Sequence, residues 1–314
     1  MPQKDNRARN WRKYNEVLVN RGSFTFWFDE ESIKQWEGMK GKRGRPQKFS
    51  DTAIVCGLTL KAVFNLSFRA TEGFIKSIIR SLRLAIEVPD YTLLCKRQKH
   101  LVVELPKQKI KPGERITILV DTTGLKVFGE GEWKVRQHGY VKHRLWRKLH
   151  LAINSETQEI EAFELTDLGV QDCEGFTNLI SSIEKPLGSS IGDGAYDSFS
   201  CYEIAEQKDF KLIVPPRRNS KTSQERCRNK KKKGVRKRDE VVQEMRDVGR
   251  AQWKVAMGYH RRSLAETAVF RIKTLLGNRL RTRTLEHQKT ETAIWCRAIN
   301  KMTALNRSKT EFLI

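Results

Sequence analysis

The sequence predicts an all-helical N-terminal region followed by a layered α/β domain. Three observations predict this. Apolar residues recur at helical spacing up to about residue 104 and alternate strand-like after it, and the change falls across "PKQKIKPGER", residues 106–115. Beyond that joint the order is three strands, helix, strand, helix, strand, basic insertion, helix. Finally, 314 residues make one large domain or two ordinary ones, and 38% hydrophobic content can bury a real core.

The net charge of +24 sets the class of partner. Lysines and arginines that neutralise phosphates release condensed counterions, so such a chain suits a polyanion: DNA, RNA or an anionic membrane. The membrane reading is weak, because no apolar stretch reaches the ~18 residues a spanning helix needs. "MPQKDNRARNWRKYN" has no apolar signal core, which makes the cytoplasm the expected location. The six cysteines are scattered without a CxxC pair, and the six histidines form no HExxH, so structural zinc is not expected.

Residues 1–48 read as an arm whose aromatics dock on the body. It ends in "KGKRGRPQKFS", where the RGRP core around Arg45 is either a minor-groove hook or a basic linker. Residues 49–105 read as a compact helical unit. Ser50 or Asp51 caps a first helix to about Leu66, and "RATEGFIKSIIRSLRL" is a second, with Phe74, Ile78, Ile79 and Leu82 at helical spacing. "YTLLCKRQKHLVVEL" is a third, with Lys96, Arg97, Lys99 and His100 on it. Three short helices with a basic third one suggest a helix-turn-helix-like DNA-binding domain, the alternative being a helical domain with a solvated basic face.

Residues 106–115 are the linker, and 116–308 the α/β domain. "RITILVDTTGLKVF" is its first strand; "WRKLHLAINSETQEIEAFELTD" is two more, joined by the polar turn at Asn154–Gln158. "CEGFTNLISSIEKPL" is a helix, "SSIGD" a strand, "SFSCYEIAEQK" a helix and "FKLIVPP" a strand. A basic insertion covers about 217–250; its stretch 217–238 is disordered when free by composition, and grips phosphates or is simply solvated. In "EWKVRQHGYVKHRLWRK" basic residues, Arg136 among them, alternate with aromatics, a mix suited to distorted DNA. Trp133 and Trp146 read equally as core. The helix with Glu266 and a last helix, "HQKTETAIWCRAINKMTALN", close the domain before a tail at 309–314.

Two aspartates sit where strands end. Asp121 follows "ITILV" and Asp193 follows "SSIG", with Gly192 and Gly194 allowing close backbone approach. Such an acid either caps a turn or is presented for chemistry. Two of them, on parallel neighbouring strands, come side by side and can share a divalent ion. Asp172 and Asp197 are further acids nearby, read first as a helix cap and a turn residue.

Glu266 has a local explanation, since Ser263-Leu264-Ala265-Glu266 matches a capping box. Yet at about 100° per residue Tyr259, Arg262, Glu266 and Lys273 fall within roughly 60° of arc, opposite the apolar Leu264, Ala268, Ile272 and Leu275. That register requires the helix to include Tyr259 and Arg262; a start at Ser263 removes both from the arc.

The spacing Tyr259-x2-Arg262-x3-Glu266-x6-Lys273 resembles the YREK signature of bacterial IS4 and IS5 transposases. With "DTTGLKVFGEGEWKVRQHGY" and "DGAYD", the chain is similar to the IS5 family, close to its IS903 subgroup. The resemblance implies an RNase H-like fold, a mixed five-stranded sheet with helices on both faces. It implies a DDE site in which Asp121, Asp193 and Glu266 are both the catalytic acids and the ligands of Mg2+, or Mn2+ as a substitute. Tyr259, Arg262 and Lys273 then contact DNA, with Arg136, Arg45, Lys96 and Arg97 as further DNA-binding candidates. The implied activity is cleavage and transfer of DNA strands at terminal inverted repeats, by a homodimer or larger multimer on double-stranded terminal and target DNA, away from membranes. The alternatives are an RNase H-like nuclease that does not join strands and a non-catalytic repressor derived from a transposase.

Overall fold

The computed structural model describes residues 11–38, 46–127, 146–225 and 235–308. Arg45, Trp133, Arg136, the run Lys230–Lys233 and the tail 309–314 lie outside the described residues. The chain divides into two compact units, one of Met1–Glu104 with Arg297–Ile314 and one of Leu105–Cys296.

The first unit is helical. Its elements are α1 (Trp11–Asn20), α2 (Phe24–Trp27), α3 (Glu30–Lys34), α4 (Asp51–Val63), α5 (Phe68–Ser81) and α6 (Tyr91–Gln98). Helix starts leave backbone N–H groups without partners, and short polar side chains supply them. Ser50 accepts from the Ala53 N–H at 3.1 Å, Ser67 from Ala70 at 3.3 Å, and Asp90 from Thr92 and Leu93 at 2.8 and 2.9 Å. Ile54, Leu60, Ile75 and Leu94 form the fully buried centre. The chain bends by 110° between α4 and α5. Trp27, Phe28 and Trp36 are buried, and the Trp36 indole donates to the Glu87 carbonyl at 2.8 Å. The N-terminal segment is therefore docked through its aromatics. The third helix of the trio is shorter than its predicted span and stops at Gln98. The β-branched pair Val102–Val103 and the approaching Pro106 disfavour its continuation, while Leu101 turns inward and is buried. No single helix among the described residues is long and apolar enough to cross a membrane.

The second unit is built on a sheet: β1 (Ile116–Val127), β2 (Trp146–Asn154), β3 (Ile160–Asp167), β4 (Leu187–Ile191) and β5 (Lys211–Ile213), in the order β3-β2-β1-β4-β5. β1, β2 and β3 are antiparallel neighbours, while β4 runs parallel to β1 and β5 parallel to β4. That mixed order is the RNase H-like arrangement. A two-residue β6 (Arg279–Leu280), not predicted, also pairs with β1, in parallel at Lys126–Val127. The helices of this unit are α7 (Asp172–Ser181), α8 (Phe199–Gln207), α9 (Val235–Val248), α10 (Arg250–Ala256) and α11 (Ser263–Leu275), and α12 (Leu285–Ser308) belongs to it as far as Cys296 and to the first unit from Arg297 on.

The β2–β3 turn forms where polar residues replace the alternating pattern. Asn154 Oδ1 accepts from the N–H groups of Glu156 and Thr157 at 2.9 and 3.0 Å, and Gln158 is left-handed at φ 56°. Along β1, Ile116, Ile118 and Val120 point to one face. They join Phe176, Leu179 and Ile180 of α7 and Cys201, Tyr202 and Ala205 of α8 in one core. Leu119, Asp121 and Leu125 alternate onto the opposite face, and α11 packs on β1.

Two helices, α9 and α10, arise in and just after the stretch that composition marks as disordered. The basic content hides an amphipathic pattern in which Arg238, Val242 and Met245 are buried at helical spacing.

Packing between α7 and β2 is tight at Gly175, where an added Cβ would stand 2.6 Å from the ring of His150. His150 is fully buried, and the Gly175 backbone rests on it. Gly175→Ala should therefore destabilise the second unit by about 1–3 kcal/mol, read as a lower denaturation midpoint in urea.

Candidate active site

Asp121 is not at a strand end. It is the sixth residue of β1 and pairs with Leu151 on β2, because β2 accompanies β1 out to Lys126. The end that matters belongs to the neighbour on the other flank. β4 pairs with Ile116–Leu119 only, and β6 takes up the same flank at Lys126–Val127. Between them that flank of β1 has no strand partner among the described residues. Asp121 opens into this gap.

Asp193 reaches the same gap by register. Leu119 pairs with Ile191, so two residues further along parallel strands, with the same side-chain parity, Asp121 is level with Asp193. There the chain leaves the sheet in a 3-10 turn, Gly194–Tyr196, and the Asp193 carboxylate caps it by accepting the Ala195 N–H at 2.8 Å. Gly192 is required just before this turn, since a Cβ there would lie 2.7 Å from the Tyr196 ring.

Glu266 comes from α11. The α-helix begins only at Ser263, after a 3-10 turn Tyr259–Arg262 that follows left-handed Gly258 at φ 62°. The predicted continuous helical stripe through Tyr259 is thus corrected: Tyr259 and Arg262 are not on the α-helix. They share a side for another reason, since residues three apart eclipse in a 3-10 turn. This turn packs on β1 and β4, and Arg261 ties it to the β2–β3 turn by donating to Ser155 Oγ at 2.7 Å. Glu266 makes no capping box. Ser263 Oγ donates to the His260 carbonyl at 3.0 Å, and Glu266 accepts from the Arg262 guanidinium. Lys273 lies two turns further along the Glu266 face, in the last turn of α11.

Electrostatics link these groups. Burial pushes the Asp121 carboxyl above its ordinary value. The Thr122 N–H and the Arg262 guanidinium pull it back, and the charges of Asp193 and Glu266 push it further up. Tyr259 is likewise raised, chiefly by burial, with Arg262 opposing and Asp193 and Glu266 among the groups that act on it. The Lys254 ammonium lies 5.0 Å from the centre of the Tyr259 ring. Asp121, Asp193, Glu266, Arg262 and Tyr259 are therefore one electrostatic cluster, drawn from β1, the turn after β4, α11 and the turn before it.

A hard divalent cation suits this donor set. The three acids offer only oxygens, and the desolvated, crowded Asp121 is the kind of carboxylate a cation relieves. Among the described residues no three acidic, histidine or cysteine side chains close around one point. Asp193 and Glu266 are instead engaged with Ala195 and Arg262. Asp121, Asp193 and Glu266 are the residues that would hold such an ion, through oxygen donors alone.

The remaining candidates lie elsewhere. In the first unit Lys96 is exposed, whereas Arg97 is turned inward to the Phe49 carbonyl and Asp51 and joins α6 to the start of α4. Asp172, in the first turn of α7, pairs with Lys148 at 3.2 Å.

Sequence reasoning missed the groups that hold the acids in place. Thr122, next to Asp121, shares a hydrogen bond with the Tyr196 hydroxyl at 2.8 Å and another with His150 Nδ1 at 3.0 Å. His150 Nε2 continues the chain to Thr166 at 2.9 Å, and burial lowers its pKa. Arg238 forms a buried ion pair with Asp197. Tyr196 and Asp197 stand in the "DGAYD" motif, but nothing local names partners 74 and 41 residues away.

A family model described as "Transposase DDE domain" matches residues 112–301, and a second with the same description matches residues 19–130. Among solved structures, the chain is similar to one from the cryo-EM structure of a piggyBac transposase synaptic complex with hairpin DNA. The identity is 14%, the alignment covers 93% of this chain and 77% of that one, and the TM-score is 0.43.

The raised Asp121 carboxyl has a stability consequence. The folded chain holds this proton more tightly than the unfolded chain. Stability from this group is therefore full below the ordinary carboxylate pKa and declines as pH rises through the folded value. At neutral pH, without divalent metal, Asp121→Asn should raise Tm relative to the parent. The difference should fade in acid, as followed by thermal denaturation across pH.

Proposed function

The chain belongs to the transposase DDE-domain family, a family of polynucleotidyl transferases that act on DNA and generally use divalent metal ions, and from that premise we propose the following reaction. The protein binds the terminal inverted repeats of an insertion sequence of the IS5 type, cuts the DNA strand at the element end and joins that end to target DNA. The acids are Asp121, Asp193 and Glu266. The observation that supports this reading is that Asp121, beside the gap in the flank of β1, feels the charges of both other carboxylates and of Arg262.

Magnesium, or manganese in its place, bound by these acids supplies activation of the attacking oxygen and stabilisation of the leaving one. The chain's own groups set the stage. Asp121, desolvated and crowded by two further carboxylates, is the acid whose charge a cation would relieve most. Arg262, which pairs with Glu266, places a guanidinium beside the acids where it would meet a phosphate of the strand. Tyr259 and Lys273 flank Glu266 and orient the strand. Cleavage and joining differ only in the nucleophile, water first and a 3′-hydroxyl second, so no side chain is needed as a covalent carrier. The helical first unit, with exposed Lys96, Lys99 and His100 on and just after α6, is the proposed reader of the terminal repeats. A homodimer or multimer would bring two ends together.

Asp121→Asn, Asp193→Asn and Glu266→Gln should each lower Mg2+-dependent cleavage of end-containing DNA by at least about 100-fold while leaving end binding intact. Parent-level cleavage by Glu266→Gln would remove the acid assignment. A pre-cut end with a free 3′-hydroxyl, incubated with target plasmid, should give joined product. Cleavage without joining would instead point to a nuclease, and neither activity to a DNA-binding repressor.

A further inference from the structure

The turn that carries Asp193 is held from two sides. On one side Tyr196 reaches Thr122, the residue after Asp121. On the other, Asp197 meets Arg238 from α9. Arg238 Nε and Nη2 donate to the two Asp197 oxygens, each at 2.8 Å, and both side chains are about 95% buried. Arg238 Nη1 also donates to the Lys221 carbonyl at 3.1 Å, and its guanidinium lies 5.3 Å from the centre of the Phe199 ring. A bidentate fork fixes both the distance and the plane of its carboxylate, which a single point charge does not.

Around this pair the described parts of the insertion fold back on themselves. Ser223 N–H donates to Asp239 at 2.9 Å, Arg246 pairs with Glu225 at 2.9 Å and donates to the Ser220 carbonyl, and Arg250 bonds the Pro216 carbonyl. The described flanks of the basic insertion are thus anchored at the turn that presents Asp193. A solvated loop or a simple phosphate grip would not bury one of its arginines on an acid of the "DGAYD" motif.

We propose that Arg238 is a positioning residue for Asp193, and that through the Asp197 pair the basic insertion forms part of the apparatus that readies this acid for a divalent ion. The inference rests on the reading of Asp193 as a metal-holding acid.

The test uses the full chain with Arg238→Met, Arg238→Lys and Asp197→Asn. Three quantities are read: the Mn2+ concentration that half-saturates end cleavage, the Mn2+-induced rise in Tm, and hydrogen exchange over residues 192–198. Arg238→Met should raise the half-saturating Mn2+ about 10–100-fold and blunt the Tm response. Exchange should quicken in 192–198 while the β1–β2–β3 strands stay protected, and end-DNA affinity should hold. Arg238→Lys should fall between, keeping the charge and losing the fork. If Arg238→Met does not fold, Asp197→Asn carries the test, because it is isosteric and leaves the Arg238 bond to Lys221. Parent-like Mn2+ dependence overturns the proposal, as does a loss confined to DNA affinity or exchange that quickens equally throughout the sheet. Asp193→Asn in the same assay separates the two readings. If it cleaves like the parent, the active-site reading itself fails. If it is inactive while Arg238→Met is parent-like, only the positioning role fails.

Discussion

The arrangement depends on one interrupted flank of hydrogen bonding. β1 is paired to β2 nearly throughout, but its other side is shared between β4 at one end and β6 at the other. A central strand that loses a partner midway leaves an interruption in an otherwise rigid sheet, and the half-buried Asp121 and Asp193 lie beside it. Asp121 stands there because the β1–β4 register carries it level with Asp193, and α11 supplies the third acid by packing on the same strand. Moving the β1–β4 register by one residue would send Asp121 to the opposite face, among α7 and α8.

Two kinds of support surround that gap. Beneath it, the chain from Tyr196 through Thr122 and His150 to Thr166 joins the Asp193 turn to β1, β2 and β3 without using a catalytic side chain. His150 is buried, and burial lowers its pKa, which favours the neutral ring in this link. Above it, Arg238 ties the same turn to the insertion. Burying a full ion pair is worthwhile only with good geometry, and here both carboxylate oxygens and a backbone carbonyl are satisfied by one guanidinium. The acids themselves make weaker and more local bonds, to Ala195 and to Arg262, which a cation or phosphate can replace.

Much of this was legible in the chain. The strands of the second unit read from their apolar, β-branched runs bounded by polar turns, and the cap at Ser50 follows from the need of helix starts for acceptors. Asp193 was visible from the glycines around it. The reading failed where composition masked pattern. α9 looked like a charged coil because its buried stripe contains Arg238, which counts as polar until its partner is known. The helical count through Tyr259 failed because Gly258 turns left-handed and starts a tighter helix, a choice made by the contact of that turn with β1 and β4.

By itself, then, the sequence determined most of the elements, their order and the change of period at the joint, and it singled out Asp121, Asp193 and Glu266 as candidates, since these depend on local propensity and on residue type. Tertiary structure alone decided three things: that Asp121 lies in the middle of a strand, that Arg262 and not a capping box takes Glu266, and that a buried arginine from the basic insertion holds the turn of Asp193. Each is a contact between residues brought together by strand register and helix packing. Local sequence carries no signal for a partner dozens of residues away.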